Sequence, residues 1–371
     1  MKQRFKKHVA LTLISLMLLS LIGCGKPAST DTTTTTEAAV TEAPAASISD
    51  AATTADSTPA DASEEGSDAQ TVYPVTVTDQ AGREVTIEKE PESIVSGYYI
   101  STSLLLALGL KDKVTGIEAK ADKRPIYKLA APEFLELPNV GTAKEFDLET
   151  CASLSPELVI LPMKLKDAAQ SLSELDIPVL LVNPESEDQL EQMIELVSTA
   201  TNTKGNADAL LSYIDEKKEM LEKDLSGVDA KSVYLAGNSS LLSTAGPAMY
   251  QSGLIELAGG KNAASEITDT YWAEISYEQL LAWDPSYIIL ASDAEYTPED
   301  VLNDENLKEC TAVKNGDVYA IPGDIEALDS PVPGGILASI WLAGILHPDQ
   351  VSADMYTEEK AAFYETFYGI K

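Results

Sequence analysis

The sequence predicts an α/β fold of two similar lobes with mostly parallel sheets, joined by a single long helix. The first observation is helical spacing near the middle of the chain, at Leu190, Met193, Ile194 and Val197, then Leu210, Ile214, Leu221 and Leu225. Ser186 and Gln189 stand at capping-box spacing, which marks the start of that helical stretch, residues 186–225. The second observation is a repeat across it. Glu149 leads to Pro156 after seven residues and then to the run ELVIL, as Glu278 leads to Pro285 and then to SYIIL. A short helix stopped before proline, followed by a strand covered on both faces, explains each copy. The third is looser: Ser93-IVSG followed by LLLALGL is matched by Ser232-VYLAG followed by GLIELAGG. Two such pairs on opposite sides of one helix argue for duplicated lobes.

The N-terminus reads as a targeting segment. Lys2, Arg4, Lys6 and Lys7 precede an apolar run at 9–22, 14 residues long. That is too short to span a bilayer and the right length for a signal-peptide core. The run ends in Leu21-Ile22-Gly23-Cys24, which resembles the bacterial lipobox, a signal in which the cysteine becomes the first mature residue and carries lipid. Residues 1–23 are therefore expected to be a lipoprotein signal peptide and Cys24 the lipidation site. Residues 24–71 hold no aromatic side chain and are rich in Thr, Ala, Ser, Pro, Asp and Glu. Such a chain buries no core and is expected to be a disordered tether with a root-mean-square span of about 40 Å. The expected location is the extracellular face of the cell membrane.

The rest divides into an N-terminal lobe at 72–185, connecting helices at 186–228, a C-terminal lobe at 229–347 and a C-terminal helix at 348–371. Alternation in PVTVTDQAGREVTI predicts a hairpin turning at Gly82. Strands are expected at 94–96, 113–117, 158–161 and 179–182, then at 233–236, 287–291 and 318–321. Helices between them favour parallel sheets. A helix follows Pro333, and an amphipathic one is expected at 357–368. Removing Lys2, Arg4, Lys6 and Lys7 moves the formal charge from −34 to −38. A body this acidic is a poor binder of nucleic acid or anionic lipid through a basic patch. Cys151 and Cys310 fall in different lobes and are expected as buried free thiols.

In open parallel sheets, ligands sit beyond the carboxyl ends of the strands. That rule selects Tyr98, Tyr99, Met163 and Lys164 in the first lobe, and loops 238–247, 293–296 and 324–329 in the second. With Tyr250, Tyr271 and Trp272, these tyrosines make a set of rigid aromatic faces suited to a bulky ligand held between lobes. His347 stands at a helix end before Pro348, where a structural role is expected. No His cluster or CxxC gives a zinc constellation, and no P-loop or GxSxG elbow is present. Counting carboxylates does not separate a paired-acid glycosidase, although nothing in their order points to one. No catalytic residue, resident metal or cofactor is expected.

The blocks GTAKEFDLETCASLSPELVIL, STAGPAMYQSGLIELAGGKNAA, YWAEISYEQLLAWDPSYIIL and LDSPVPGGILASIWLAGILHP resemble those of the iron-complex and cobalamin (class III) solute-binding proteins of ABC importers. The resemblance covers roughly residues 72–371. It implies a ligand cleft between two α/β lobes, little interlobe motion, and a partnership with an ABC permease dimer and its ATPase. It also implies that one surface glutamate per lobe docks on the permease, by position Glu149 and Glu278. Trp272 matches a cleft aromatic of that family, and Tyr98 or Tyr99, Lys144, Lys164, Tyr250 and Glu326 fall in loops that line the cleft. The departure is charge: Arg83 and Arg124 are the only arginines after Arg4. Trianionic catecholate chelates are thereby disfavoured.

The expected function is capture of a small-molecule metal chelate, iron–siderophore-like, by a lipid-anchored monomer that delivers it to the permease and catalyses nothing. Cobalamin or another corrinoid, haem held through tyrosine, and an oxyanion such as molybdate stand as alternative ligands. A sensory or adhesive lipoprotein, or an extracellular enzyme, stands as the alternative class.

Overall fold

Alternating residues around Gly82 form the first hairpin, β1 (Val75–Thr78) against β2 (Glu84–Ile87). Gly82 turns it at φ +76°, a backbone region that costs glycine nothing. The computed structural model describes residues 70–371, so the expected signal peptide, Cys24 and nearly all of the tether lie outside the described residues. Asp79 pins the hairpin to the body. Its carboxylate accepts the Arg83 guanidinium at 2.7 Å and the Leu181 backbone N–H at 3.1 Å. Arg83 also donates to the Val179 carbonyl at 2.7 Å, so this guanidinium is committed to structure.

The first lobe runs β3 (Ile94–Ser96), α1 (Tyr99–Ala107), β4 (Val114–Gly116), α2 (Pro125–Ala130), α3 (Leu148–Ser153), β5 (Leu158–Pro162), α4 (Lys166–Ser173) and β6 (Val179–Val182). Its four strands are parallel in the order β4-β3-β5-β6. The middle is α5 (Glu187–Thr201) and α6 (Lys204–Asp224). The second lobe runs β7 (Lys231–Ala236), β8 (Ser243–Ala245), α7 (Tyr250–Leu257), β9 (Gly260–Asn262), β10 (Trp272–Glu274), α8 (Tyr277–Trp283), β11 (Tyr287–Leu290), α9 (Pro298–Leu302), α10 (Thr311–Asn315) and β12 (Val318–Ala320). Its main sheet is again parallel, in the order β9-β7-β11-β12. Counted in chain order, each lobe lays down its strands second-first-third-fourth. This is the repeat the two glutamate–proline segments announced, since α3 leads into the third strand of one lobe and α8 into that of the other.

Each strand divides its side chains between two cores, as a period of two requires. In the first lobe Ile94, Leu158, Ile160 and Leu180 join one cluster, while Val95, Val159, Leu161 and Leu181 join another. In the second lobe Val233, Leu235 and Ile289 share that first cluster, and Tyr234, Ile288 and Leu290 form a third. The inner faces of both sheets thus bury into one continuous core. The two lobes are cemented from behind, which limits hinge motion more than a connecting rod alone would.

The central stretch, expected as connecting helices at 186–228, is two helices turned on each other. Ser186 caps α5 through the Gln189 N–H at 3.3 Å, and α5 ends where Asn202 adopts φ 57°. Asparagine tolerates that conformation, and its side chain ties down Thr71 at 2.8 Å and Glu90 at 2.9 Å. Helix α6 alone carries the chain from lobe to lobe; its 21 residues span about 32 Å at ~1.5 Å each. The last helices are α11 (Ile336–Leu346), buried nearly all round, and α12 (Ala353–Tyr368), which packs on both α11 and α1. Lys217 of α6 meets Glu359 of α12 at 2.9 Å, so the tail braces the same seam.

Cys151 and Cys310 are free and buried, in opposite outer cores. Burial pushes the Cys151 thiol up to about 12 and raises that of Cys310. The thiolate is the reactive form. A thiol reagent such as Ellman's is therefore expected to leave both untouched at pH 8 in the native protein and to titrate both in denaturant. Rapid native labelling at either position would show that its outer core opens.

Candidate functional site

The loops that leave the carboxyl ends of strands in both lobes surround one cavity of about 490 Å³. Tyr98 and Tyr99 follow β3, Lys164 follows β5, Glu185 follows β6, and Asn238 follows β7. Ser330 approaches from the loop before α11. The cavity's size lies within the range of sites that enclose a drug-sized molecule.

Aromatic faces form much of its wall. The rings of Tyr98 and Tyr99 meet edge to face, 5.4 Å apart at 76°. Tyr99 donates its hydroxyl to Ser330 Oγ at 2.9 Å, so it is held from the opposite lobe. Tyr250 begins α7 and is buried against Gly335, where any side chain would strike its hydroxyl. Trp272 rides on the two-stranded ribbon β8–β10 and remains 40% exposed. Gly237 makes room for it, because a Cβ there would come within 3.1 Å of the indole. Burial raises the hydroxyls of Tyr98, Tyr99 and Tyr250 well above the ordinary phenol range. They act as neutral faces and donors.

The charged lining is sparse and mostly acidic: Lys164 is the one base, against Glu185, Glu274 and Asp329. Asp329 is buried, which raises its carboxyl, and it accepts the hydroxyl and the backbone N–H of Ser292, the latter at 3.2 Å. Arg124, the other arginine of the described residues, stands outside this cavity. Its guanidinium lies 4.0 Å from the Tyr99 ring centroid and 3.7 Å from Asp293, closing one end of the seam between lobes. Among the described residues no group of three or more His, Cys, Asp or Glu side chains is placed to hold a metal ion.

Of the residues singled out from sequence, the structure brings together Tyr98, Tyr99, Lys164, Tyr250 and Trp272. It sets three others apart. Tyr271 is 56% exposed and off the lining, in the bend just before β10 begins at Trp272. Lys144 is exposed in the turn that precedes α3 and does not reach the cavity. Glu326 is 4% exposed and lies beneath the cavity rather than in it, accepting from the hydroxyls of Ser103 and, at 3.1 Å, Tyr364. The strand-end rule pointed to its loop, but its side chain turns inward to the hydroxyls of Ser103, Tyr364 and Tyr368. Sequence reasoning missed Glu185 and Glu274. Glu185 follows the end of β6, a strand end that the same rule covers. Glu274 shares a face with Trp272 two residues earlier, a signal hidden because β10 is only three residues long.

Glu149 and Glu278 are exposed and occupy equivalent positions, each two residues past a helix cap. Asp147 caps α3 through the Thr150 N–H at 2.9 Å, and Ser276 caps α8 through the Gln279 N–H at 3.2 Å. A helix that returns the chain to the start of a parallel strand begins near the edge where strands end.

The family model described as periplasmic binding protein matches residues 94–325. The chain is 29% identical to YvrC of Bacillus subtilis, an uncharacterised ABC transporter substrate-binding lipoprotein, over 70% of this chain and 82% of the relative. It is 24% identical to the molybdate-binding protein MolA of Haemophilus influenzae, over 79% of this chain and 90% of that one. Among solved structures, a periplasmic solute-binding protein of Veillonella parvula superposes with a TM-score of 0.71 at 26% identity, covering 80% of this chain and 93% of its own.

Proposed function

Because the chain belongs to the periplasmic binding protein family, we propose that it captures a metal chelate in the cleft between its lobes and delivers it to an ABC permease. The observation that carries this reading is the cavity of about 490 Å³ walled by Tyr98, Tyr99, Tyr250 and Trp272. Flat aromatic faces suit the organic shell of a chelate, and the few polar groups suit its orientation. Because burial raises the three phenols, a phenolate ligand would be costly, and the metal is expected to arrive already wrapped by its own chelator. This weighs against haem held through tyrosine and leaves ferric hydroxamates and corrinoids.

The molybdate suggested by one relative's name fits less well. A tetrahedral oxyanion would fill a small part of this cavity, a water molecule's share of volume being about 30 Å³. It would also face three carboxyl groups and a single lysine.

Delivery requires recognition by a two-fold permease. Glu149 and Glu278 supply one carboxylate from each topologically equivalent lobe, and bidentate arginine contacts are the natural complement. Cleavage after residue 23 and lipidation of Cys24 would hold the protein at the extracellular face of the membrane on the tether.

Native mass spectrometry with ferric hydroxamates, corrinoids, haem and molybdate tests the assignment. A bound ferric hydroxamate or corrinoid is the expected result, and exclusive binding of molybdate would overturn it. Trp272→Ala is expected to weaken the bound chelate at least about tenfold in calorimetry, since an aromatic anchor covered on binding is worth over ~1.4 kcal/mol. The substitution removes a side chain already half in solvent, so the fold should tolerate it. Unchanged affinity would remove Trp272 from the site.

A further inference from the structure

The electrostatics of the cleft carry the reading of its ligand one step further. Glu185 reaches the cavity from the N-terminal lobe and Glu274 from the β8–β10 ribbon of the C-terminal lobe. The two carboxylates thus come to the lining of one cavity from different lobes. Neither accepts a hydrogen bond or forms an ion pair with another side chain among the described residues, whereas many acids on this surface do, such as Glu90 with Lys113 at 2.6 Å and Asp324 with Lys360 at 2.6 Å. The bases that might neutralise the cleft are spent elsewhere. Arg83 is bound to Asp79 and the Val179 carbonyl, and Arg124 is stacked on Tyr99 beside Asp293.

An independent observation points the same way. Gln251, 6% exposed, lines the cavity and donates its Nε2 to the Asp329 carbonyl at 2.8 Å. That bond fixes the amide orientation and leaves Gln251 Oε1 as a buried acceptor without a partner. An unpaired buried acceptor is costly, and a small rotation of Gln251 would offer this one to a donor on a bound molecule. The lining thus offers acceptors in excess and donors mainly at Lys164 and the hydroxyls.

From this we infer that Glu185 and Glu274 make the cleft selective for metal chelates that carry positive charge and exposed N–H donors, and exclude anionic ones. The inference rests on the chelate reading above and specifies its ligand class. The cation would sit beside a half-buried carboxylate of one lobe and an exposed one of the other, where charge complementarity discriminates among ligands of one shape.

The test uses two series in which shape is nearly constant and charge changes. The first is a linear ferric trihydroxamate ending in a free ammonium, with its N-acetylated neutral and N-succinylated anionic forms. The second is diaquacobinamide, which is cationic, and dicyanocobinamide, which is neutral. Affinities are measured by calorimetry for the whole protein and for Glu185→Gln, Glu274→Gln, the double variant and Lys164→Gln. Both glutamates are near the surface and glutamine keeps their shape, so all variants should fold.

In at least one series the cationic form is expected to bind about tenfold more tightly than the neutral one, and the anionic form weakest. Each single glutamate variant should lower the cation preference about threefold, and the double variant should abolish it. Lys164→Gln should strengthen the preference. The cationic ligand's affinity should fall with salt while the neutral one's does not. Chelates that bind without regard to charge, or a preference that survives in the double variant, would overturn the inference and leave the proposed function standing. Failure of every chelate to bind would overturn both.

Discussion

Replacing both Glu149 and Glu278 by lysine is expected to abolish uptake of the solute by whole cells while leaving its affinity for the isolated protein unchanged. The two residues belong to the second turn-forming positions of α3 and α8, the helices that lead into the third strand of each lobe. Both side chains are exposed and neither touches the cleft. Charge reversal therefore has no route to the ligand site, and the caps at Asp147 and Ser276 still hold each helix start. The same substitutions would place ammonium groups against arginines, converting two attractive contacts into repulsive ones at once. Single variants should be intermediate, because one permease half would keep its contact while the other lost it. Accumulation of the metal in cells expressing each variant, set beside calorimetry on the purified proteins, separates the two effects. Transport by the double variant at the normal rate would remove these residues from the docking surface.

A second large effect is expected from pH. Glu326 is buried where α1, α12 and the loop after β12 meet, accepting from the hydroxyls of Ser103 and Tyr364, with Tyr368 hydrogen-bonded to Ser103 at 2.9 Å. Among the described residues no cation pairs with it, and burial raises its carboxyl from 4.5 to about 7, which the neighbouring hydroxyls only partly oppose. The folded protein thus binds this proton more tightly than the unfolded chain does. Glu326 contributes most below the ordinary carboxyl value, loses that contribution as pH rises from about 4.5 to about 7, and is flat above. Some 2.5 units at ~1.36 kcal/mol each make the loss of order 3 kcal/mol. Glu118 and Asp329, also raised by burial, act in the same direction.

Urea denaturation should therefore show higher stability near pH 5 than near pH 8. Glu326→Gln, which imitates the protonated group, should remove a large part of that difference. Equal pH dependence in the variant and the parent would show that Glu326 titrates normally. Because Ser103 belongs to the first lobe and Glu326 to the second, the same titration bears on the seam between them.

How much of this was visible beforehand depends on how each feature is encoded. The sheets were legible because parallel strands covered on both faces must be continuous apolar runs, as LVIL and YIIL are. The duplication was legible because equivalent helix–strand units kept the same glutamate-to-proline spacing. Strands β8, β9 and β10 were not, since STA, GKN and WAE lack the apolar run that marked equally short β3, and Asn262 and Glu274 read as loop. The break at Asn202 left only a weak mark, because helical periodicity resumes two residues later.

Local chemistry by itself determined the elements, their order, the paired lobes and the strand ends where a ligand belongs, all properties set within a dozen neighbouring residues. The tertiary structure alone decided which side chains at those ends face inward to the protein and which face the cleft. It sent Glu326 into a nest of hydroxyls, committed Arg83 and Arg124 to other partners, and brought Glu185 and Glu274 to the lining of one cavity. Such choices depend largely on contacts between elements well apart in the chain, such as Ser103 with Glu326 and Arg124 with Asp293, where burial and hydrogen-bond satisfaction, rather than spacing along the chain, set the outcome.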